Sequence, residues 1–284
     1  MALERLARNA RTVEEAWAAA WASLGAVPDA PRTVVDDLPD YLRVYTPDTP
    51  EMLLNLVMRY AAPGLVTVEA IEQVIAPYRR NRLPFQWWLT AGMEPPGLRE
   101  HLRSLGMQCW GGSTSMTLEL EDWQPAYPQA PAEVRLLRAT GPDENADALR
   151  IICDVFFLPW QATARWATTN PAFAVYLARW GARPVAALTT MRRDDVLLVF
   201  NVATASGARR RGIAGNLVIH ALQDAQVAGC TQAALTATPE ARRLYEELGF
   251  RACGTMEQWA PGYRLQQMLA QGPRTPLERP VGWE

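Results

Sequence analysis

Two short stretches of this 284-residue chain hold residue types and spacings from which chemistry is built. The first is Arg209-Arg210-Arg211-Gly212-Ile213-Ala214-Gly215. A helix starting at Ile213 exposes N–H groups with no intrahelical partner, at the positive end of its dipole. Gly212 lets the backbone approach a ligand with no Cβ in the way. With guanidinium groups beside it, this junction suits a pyrophosphate. The second stretch is Leu244-Tyr245-Glu246-Glu247-Leu248-Gly249-Phe250, where Tyr245 is a phenol able to donate a proton. Tyr245 also falls on an apolar stripe with Ala241, Leu244 and Leu248, where a core tyrosine looks the same.

The elements that must position these residues follow from periodicity. Residues 196–204 are β-branched and aromatic and too few for a typical helix, so they read as a strand. From 213 to 228 the period becomes helical, with Ile213, Leu217, Ala221 and Ala225 on one face. Asn216, His220 and Asp224 form a polar row opposite and are expected to face solvent. Thr238 and Pro239 open a further helix as cap and first residue. Around them, strands are predicted at 133–139, 172–180, 184–192, 232–238 and 251–259, with a helix at 142–157 and a loop or broken helix at 158–170. That pattern is a mixed α/β sheet with helices on both faces.

The first half reads as a helix over 12–24, a loop at 28–39, a strand at 41–45 and helices at 51–60 and 66–78. A strand at 84–90, a helix at 96–106 and a strand at 109–120 complete it. Trp17 and Trp21, one turn apart, read as a packing stripe. Pro125, Pro128 and Pro131 mark 122–131 as a linker. The predicted domains are therefore 1–121 and 132–260, with a tail at 261–284.

Composition narrows the classes. Hydrophobic residues make up 49% and charged residues 20%, which suits a globular chain. All 28 basic residues are arginine, so lysine Schiff-base chemistry is excluded. The formal net charge of −2 implies no global attraction to nucleic acid. Four cysteines without C-x-x-C spacing suit a reduced, cytoplasmic setting, and two histidines make a His-rich metal centre improbable. No signal peptide or membrane-spanning run is evident. Cys153 and Cys230 read as inert core thiols.

The two stretches, in this order and context, resemble the signatures of the GNAT family of acetyl-CoA-dependent N-acyltransferases. Arg209-Arg210-Arg211-Gly212-Ile213-Ala214 matches its Arg/Gln-x-x-Gly-x-Gly/Ala at every fixed position. Leu244 to Phe250 is similar to its second signature, Leu-Tyr-Glu-x-Leu-Gly-Phe. One departure is Thr238, where the family often places Asn. The resemblance covers about 132–260. The order of 85–90, 102–107 and the strand reaching Met116 parallels 233–238, 245–250 and the strand through Met256. This suggests a tandem protein of two similar domains, the N-terminal one a degenerate copy with Leu102 in place of Tyr245; an unrelated α/β domain is equally open.

The resemblance implies an N-acetyltransferase moving an acetyl group from acetyl-CoA to a primary amine by direct attack, with no metal. Arg209, Arg210, Arg211, Gly212, Ile213, Ala214 and Gly215 would hold the pyrophosphate. Asn201, Val202, Ala203 and Thr204 would offer main-chain groups to the pantetheine arm and the thioester oxygen. Thr238 would add a cofactor contact, and Tyr245 would serve as the acid. Asp154, or a water held by acidic residues, is the guess for a base. Phe157 and Trp160, with Trp166 and Trp259, are candidates for an acceptor wall. The acceptor is expected to be a small-molecule or peptide amine, with no nucleic-acid or membrane partner, for a monomer or homodimer. The alternatives are a non-catalytic acyl-CoA-binding or regulatory module, and a protein-interaction scaffold.

Overall fold

A computed structural model of the chain describes residues 2–26, 32–61, 66–156, 158, 167–168 and 170–262. In chain order the elements are α1 (Ala2–Ala22), β1 (Val34–Leu38), β2 (Tyr41–Tyr45), β3 (Leu56–Met58), α2 (Val68–Arg80) and β4 (Gln86–Thr90). Next come α3 (Leu98–Ser104), β5 (Met107–Glu119), β6 (Val134–Arg138), α4 (Pro142–Phe156), β7 (Phe173–Trp180) and β8 (Arg183–Arg193). The last are β9 (Val196–Thr204), α5 (Ile213–Val227), β10 (Gln232–Ala237), α6 (Pro239–Glu247) and β11 (Arg251–Pro261).

The chain forms two compact units. Unit 1 comprises Met1–Leu118, Ala234–Glu246 and Phe250–Gln267. Unit 2 comprises Glu119–Ala233, Glu247–Gly249 and Met268–Glu284. Most of β10, all of β11 and nearly all of α6 thus group with the N-terminal residues.

In unit 1, β3 and β4 are parallel, and β11 lies antiparallel between β4 and β5. On one face of this sheet, α2 and α3 bury Ile71, Val74, Tyr78, Leu98 and Leu102 against Val57, Trp87 and Leu89. On the alternate residues of β4, Trp88 meets Trp17 and Trp21 of α1 edge-on, at ring-centroid distances of 5.4 and 5.8 Å. The tryptophan stripe is core, as its spacing suggests.

Two expected elements differ. Residues 51–60 were expected to be helical, yet they make a single 3₁₀ turn at Met52–Leu54 and then β3. Asn55 is responsible: fully buried, it donates to Thr49 O at 3.1 Å and Glu51 O at 2.7 Å and accepts from Thr46 N at 2.8 Å. A side chain that satisfies the local backbone removes the reason to form a helix. Residues 34–38, expected as loop, pair with β2 as an edge strand. Asp36 opposes Arg43 across that ladder, with 2.8 Å from Arg43 Nε to the carboxylate, so an acidic strand is stabilised by its neighbour.

Tyr78 ties α2 to two strands at once. Its hydroxyl, wholly buried, reaches Val44 O at 2.9 Å and Leu56 O at 2.7 Å, and burial pushes its pKa well up. Tyr78→Phe should cost about 1–3 kcal/mol in urea denaturation, because the one buried donor that the two carbonyls share is lost. An unchanged midpoint would show that the hydroxyl bonds are energetically idle.

In unit 2, β6, β7, β8 and β9 form an antiparallel meander. Helix α4 covers one face, packing Leu149 and Ile152 on Val175, Leu177, Ala187 and Ala203. Glu144 caps its start by accepting from Thr140 N at 2.9 Å and Gly141 N at 3.3 Å, and these bonds lower its pKa. Helix α5 is buried through Ile213, Leu217, Ala221, Leu222 and Ala225. None of the four cysteines is in a disulfide. Among the described residues, no helix is long and apolar enough to cross a membrane.

Candidate functional site

Strand β9 is interrupted where a ligand-binding strand would need it. Its register against β8 runs from Phe200↔Thr189 to Ala203↔Ala187, leaving Asn201 and Val202 opposite Leu188 alone. Two residues against one is a β-bulge, and Asn201 takes φ 53°. A bulged residue is left unpaired, so the main chain at 201–202 has groups free for something else. Asn201, Val202 and Thr204 are partly exposed, while Ala203 is buried against α4.

Beyond β9, a 3₁₀ turn at Ser206–Ala208 leads into the three arginines, which play different parts. Arg209 turns back, its Nε donating to Thr204 O at 3.0 Å, and so pins the turn to the end of β9. Arg211 stacks over Trp180, 5.1 Å from the ring centroid. Arg210, exposed at φ 61°, makes no hydrogen bond or ion pair among the described residues. Gly212 caps α5 in the left-handed conformation at φ 74°, with no side-chain cap bond. Among the described residues no side chain caps the first-turn N–H groups of Ile213, Ala214 and Gly215 and none pairs with the Arg210 guanidinium, which is the chemistry of an anion site.

The proline-rich segment preceding β6 has no regular secondary structure, but it runs along α5. Gln226 Nε2 donates to Leu120 O at 2.7 Å and Trp123 O at 3.2 Å. Asn216 Nδ2 donates to Pro128 O at 2.8 Å. Tyr127 lies on Gly215 so closely that a Cβ there would sit 2.3 Å from its Cε1 and 2.8 Å from its hydroxyl oxygen. Tyr127, Trp180 and Asn216 are the contributors that sequence reasoning missed. Nothing local marks Tyr127, because its partner Gly215 is distant in sequence.

Gly215 therefore has a role of its own. Gly215→Ala should destabilise the chain by about 1–3 kcal/mol, since the Tyr127 ring must be displaced. In a Tyr127→Ala background the same change should turn stabilising by up to about 1 kcal/mol, because alanine outranks glycine inside a helix. Denaturation of the four proteins of this cycle reads the coupling; equal effects in both backgrounds would refute the contact.

The polar row on α5 is a correction. Besides Asn216, Asp224 accepts from Tyr176 Oη at 3.0 Å, and the His220 ring meets Tyr176 edge-on at 5.8 Å. Burial beside Asp224 raises the Tyr176 pKa. His220 and Asp224 thus pack on β7 and Asn216 on the 120–128 segment, so the row is half-buried instead of facing solvent. Cys230 is buried and its thiol pKa is raised by that burial, so it stays a protonated core residue.

In unit 1, Tyr245 lies on α6, 5% exposed and edge-on to Phe250 at 5.8 Å. Burial raises its pKa above the ordinary tyrosine range. Its hydroxyl makes no hydrogen bond among the described residues. Thr238 is exposed, and its carbonyl accepts from Ala241 N and Arg242 N at 3.0 Å, closing the first turn of α6. Asp154, on the last turn of α4 in unit 2, is exposed, with its pKa raised by partial desolvation against the opposing effect of Arg150. Phe157, Trp160 and Trp166 lie outside the described residues. Trp259 is buried in the unit 1 core, its Nε1 donating to Glu257 at 2.9 Å, and it borders a unit 1 cavity with Arg99, Arg103 and Glu257.

Residues 143–271 match the family model described as an acetyltransferase (GNAT) domain. This segment is similar to GNAT acetyltransferase domains. A GCN5-related N-acetyltransferase from Kribbella flavida superposes with a TM-score of 0.67 at 23% identity, covering 87% of this chain and 95% of that one. One from Sphaerobacter thermophilus gives a TM-score of 0.61 at 18% identity over 87% and 90%. A tandem GNAT protein from the clavulanic acid biosynthesis pathway gives 0.58 at 12% identity over 88% and 94%. At these identities the likeness is one of fold, and it extends over most of the chain. No curated protein matches the chain by sequence.

Proposed function

We propose that the chain transfers an acetyl group from acetyl-CoA to a primary amine by direct attack. The observation that carries this reading is the junction in unit 2, where a bulged strand, three arginines and an uncapped helix start follow one another within a GNAT domain. In it, the first-turn N–H groups of α5 and Arg210 take the pyrophosphate, while Arg209 and Arg211 hold the turn in shape. The main chain at Asn201–Val202 takes the pantetheine arm, and a main-chain N–H there stabilises the thioester oxygen as it gains charge. Acetyl-CoA supplies the activated acyl group.

Tyr245 is assigned as the acid by its signature. A buried phenol whose pKa lies above its ordinary value keeps its proton at neutral pH. It suits a donor that hydrogen-bonds the departing thiolate. The parallel order β4-α3-β5 and β10-α6-β11 supports the degenerate-copy reading of the N-terminal half, as does a left-handed residue just after β3 (Arg59, φ 54°) to match Asn201 (φ 53°).

Calorimetric titration of acetyl-CoA, followed by CoA-release assays across aminoglycosides, polyamines, amino acids and peptides with free N-termini, tests the proposal. Binding plus CoA release with one amine class supports it. Binding with no release from any class supports the non-catalytic acyl-CoA module, and absence of binding overturns both.

A further inference from the structure

A buried carboxyl group in unit 1 has no place in this reading. Glu14, on α1, is 8% exposed. Its Oε1 accepts from Thr90 Oγ1 at 2.9 Å, and its second oxygen has no protein partner among the described residues. Glu14 lines a cavity of about 160 Å³ whose walls include Trp88, Tyr60, Leu89 and Met93.

The charges around this cavity compensate Glu14 only in part. Arg59 is paired with Asp37, lies 3.8 Å from Glu15, and donates to Leu38 O at 3.2 Å. Glu94 is held by Arg99 and by Gly92 N. Arg11, on the rim, is solvent-exposed. Burying a carboxyl for a single threonine bond is costly. That cost appears as a raised pKa, caused first by desolvation and opposed by Thr90, Arg11 and Arg59, with Glu15 adding to it.

We infer that this cavity binds a small organic cation, of ammonium or guanidinium type, whose N–H groups bond the free oxygen of Glu14 while its stem lies against Trp88 and Tyr60. Three properties converge on that ligand. The free carboxyl oxygen accepts hydrogen bonds when ionised. The aromatic walls favour a cation as well as an apolar stem. The volume is close to the ~150 Å³ of a cavity that takes a benzene-sized molecule. The inference does not rest on acetyl transfer, since all of these residues lie in unit 1, away from the arginine turn in sequence and outside the GNAT match.

The test is calorimetric titration of the full chain with n-propylammonium chloride and methylguanidinium chloride, with n-propanol as a neutral control. At least one cation should bind saturably and n-propanol should not. Glu14→Gln keeps an acceptor for Thr90 while removing the buried acid, so it should fold and bind at least tenfold more weakly. Met93→Trp should block the cavity and weaken binding without touching Glu14, and it decides the matter if Glu14→Gln does not fold. Acetyl-CoA titrations of both variants should match wild type, which separates this site from the arginine turn. Failure of both cations to bind, equal binding of n-propanol, or retained affinity in a folded Glu14→Gln or Met93→Trp would overturn the inference.

Discussion

Acetyl-CoA binding is expected to fall by at least about 100-fold in Gly212→Glu, the largest loss of any single change in the arginine turn. Space is not the reason: a Cβ at Gly212 would meet Asn216 Nδ2 and Pro128 O at 3.6 Å, which is ordinary contact. Backbone strain contributes a little, since φ there is 74° and a left-handed side chain costs about 1 kcal/mol. The dominant effect is charge. A carboxylate at the cap of α5 competes for the N–H groups a pyrophosphate would use, and like charges about 4 Å apart repel by about 4 kcal/mol at a surface-like dielectric. The fold should survive, because an acidic residue at a helix start is favourable. Gly212→Ala carries the strain alone and should lose less than tenfold. Calorimetry with thermal denaturation as the fold control reads both; wild-type affinity in Gly212→Glu would remove this turn from the binding site. Arg209→Ala is a less direct probe, since Arg209 is spent on Thr204 O.

Tyr245→Phe should lower kcat by about 10²–10⁴-fold once an acceptor is in hand, with acetyl-CoA affinity unchanged. The structure makes this variant clean. The Tyr245 hydroxyl bonds no described protein group, and the ring packing on Phe250 is kept by phenylalanine, so thermal stability should not move by more than a degree or two. The pH dependence follows from the sign of the shift. Burial favours the neutral phenol, so the proton donor persists past the usual tyrosine pKa, and wild-type activity should show no alkaline limb from Tyr245 below about pH 10. Undiminished turnover in Tyr245→Phe would transfer the proton's source elsewhere.

Much of the arginine turn was legible because its residues are contiguous. A strand, two glycines and a helix period need only local information, and β9 and α5 fall where the pattern put them. The resemblance implies only that Asn201 to Thr204 offer main-chain groups; the bulge at Asn201–Val202 comes from the β8 register, which no local pattern shows. The helix expected at 51–60 was misread because the pattern of apolar residues there is overridden by the amide of Asn55. The polar row of α5 was misread for a related reason: polarity at i, i+4 describes a face but not what covers it, and here Tyr176 and the segment at 120–128 do.

By itself, the sequence determined the chemistry available at one junction: cations, a flexible cap and an uncapped helix start, together with the two-fold recurrence of strand-helix-strand order. Only tertiary structure decided how those groups are used. Of three equivalent arginines, it committed Arg209 to Thr204 O and Arg211 to Trp180, leaving Arg210 without a hydrogen-bond or ion-pair partner among the described residues. It gave Gly215 a reason to be glycine in the ring of Tyr127. It placed β11 between β4 and β5, and so drew the end of the segment that matches the family model into the compact unit of the N-terminal residues. It also set Glu14 against Thr90 beside a cavity. These outcomes join residues far apart in the chain, where pairing is fixed by which surfaces bury one another and not by any local preference.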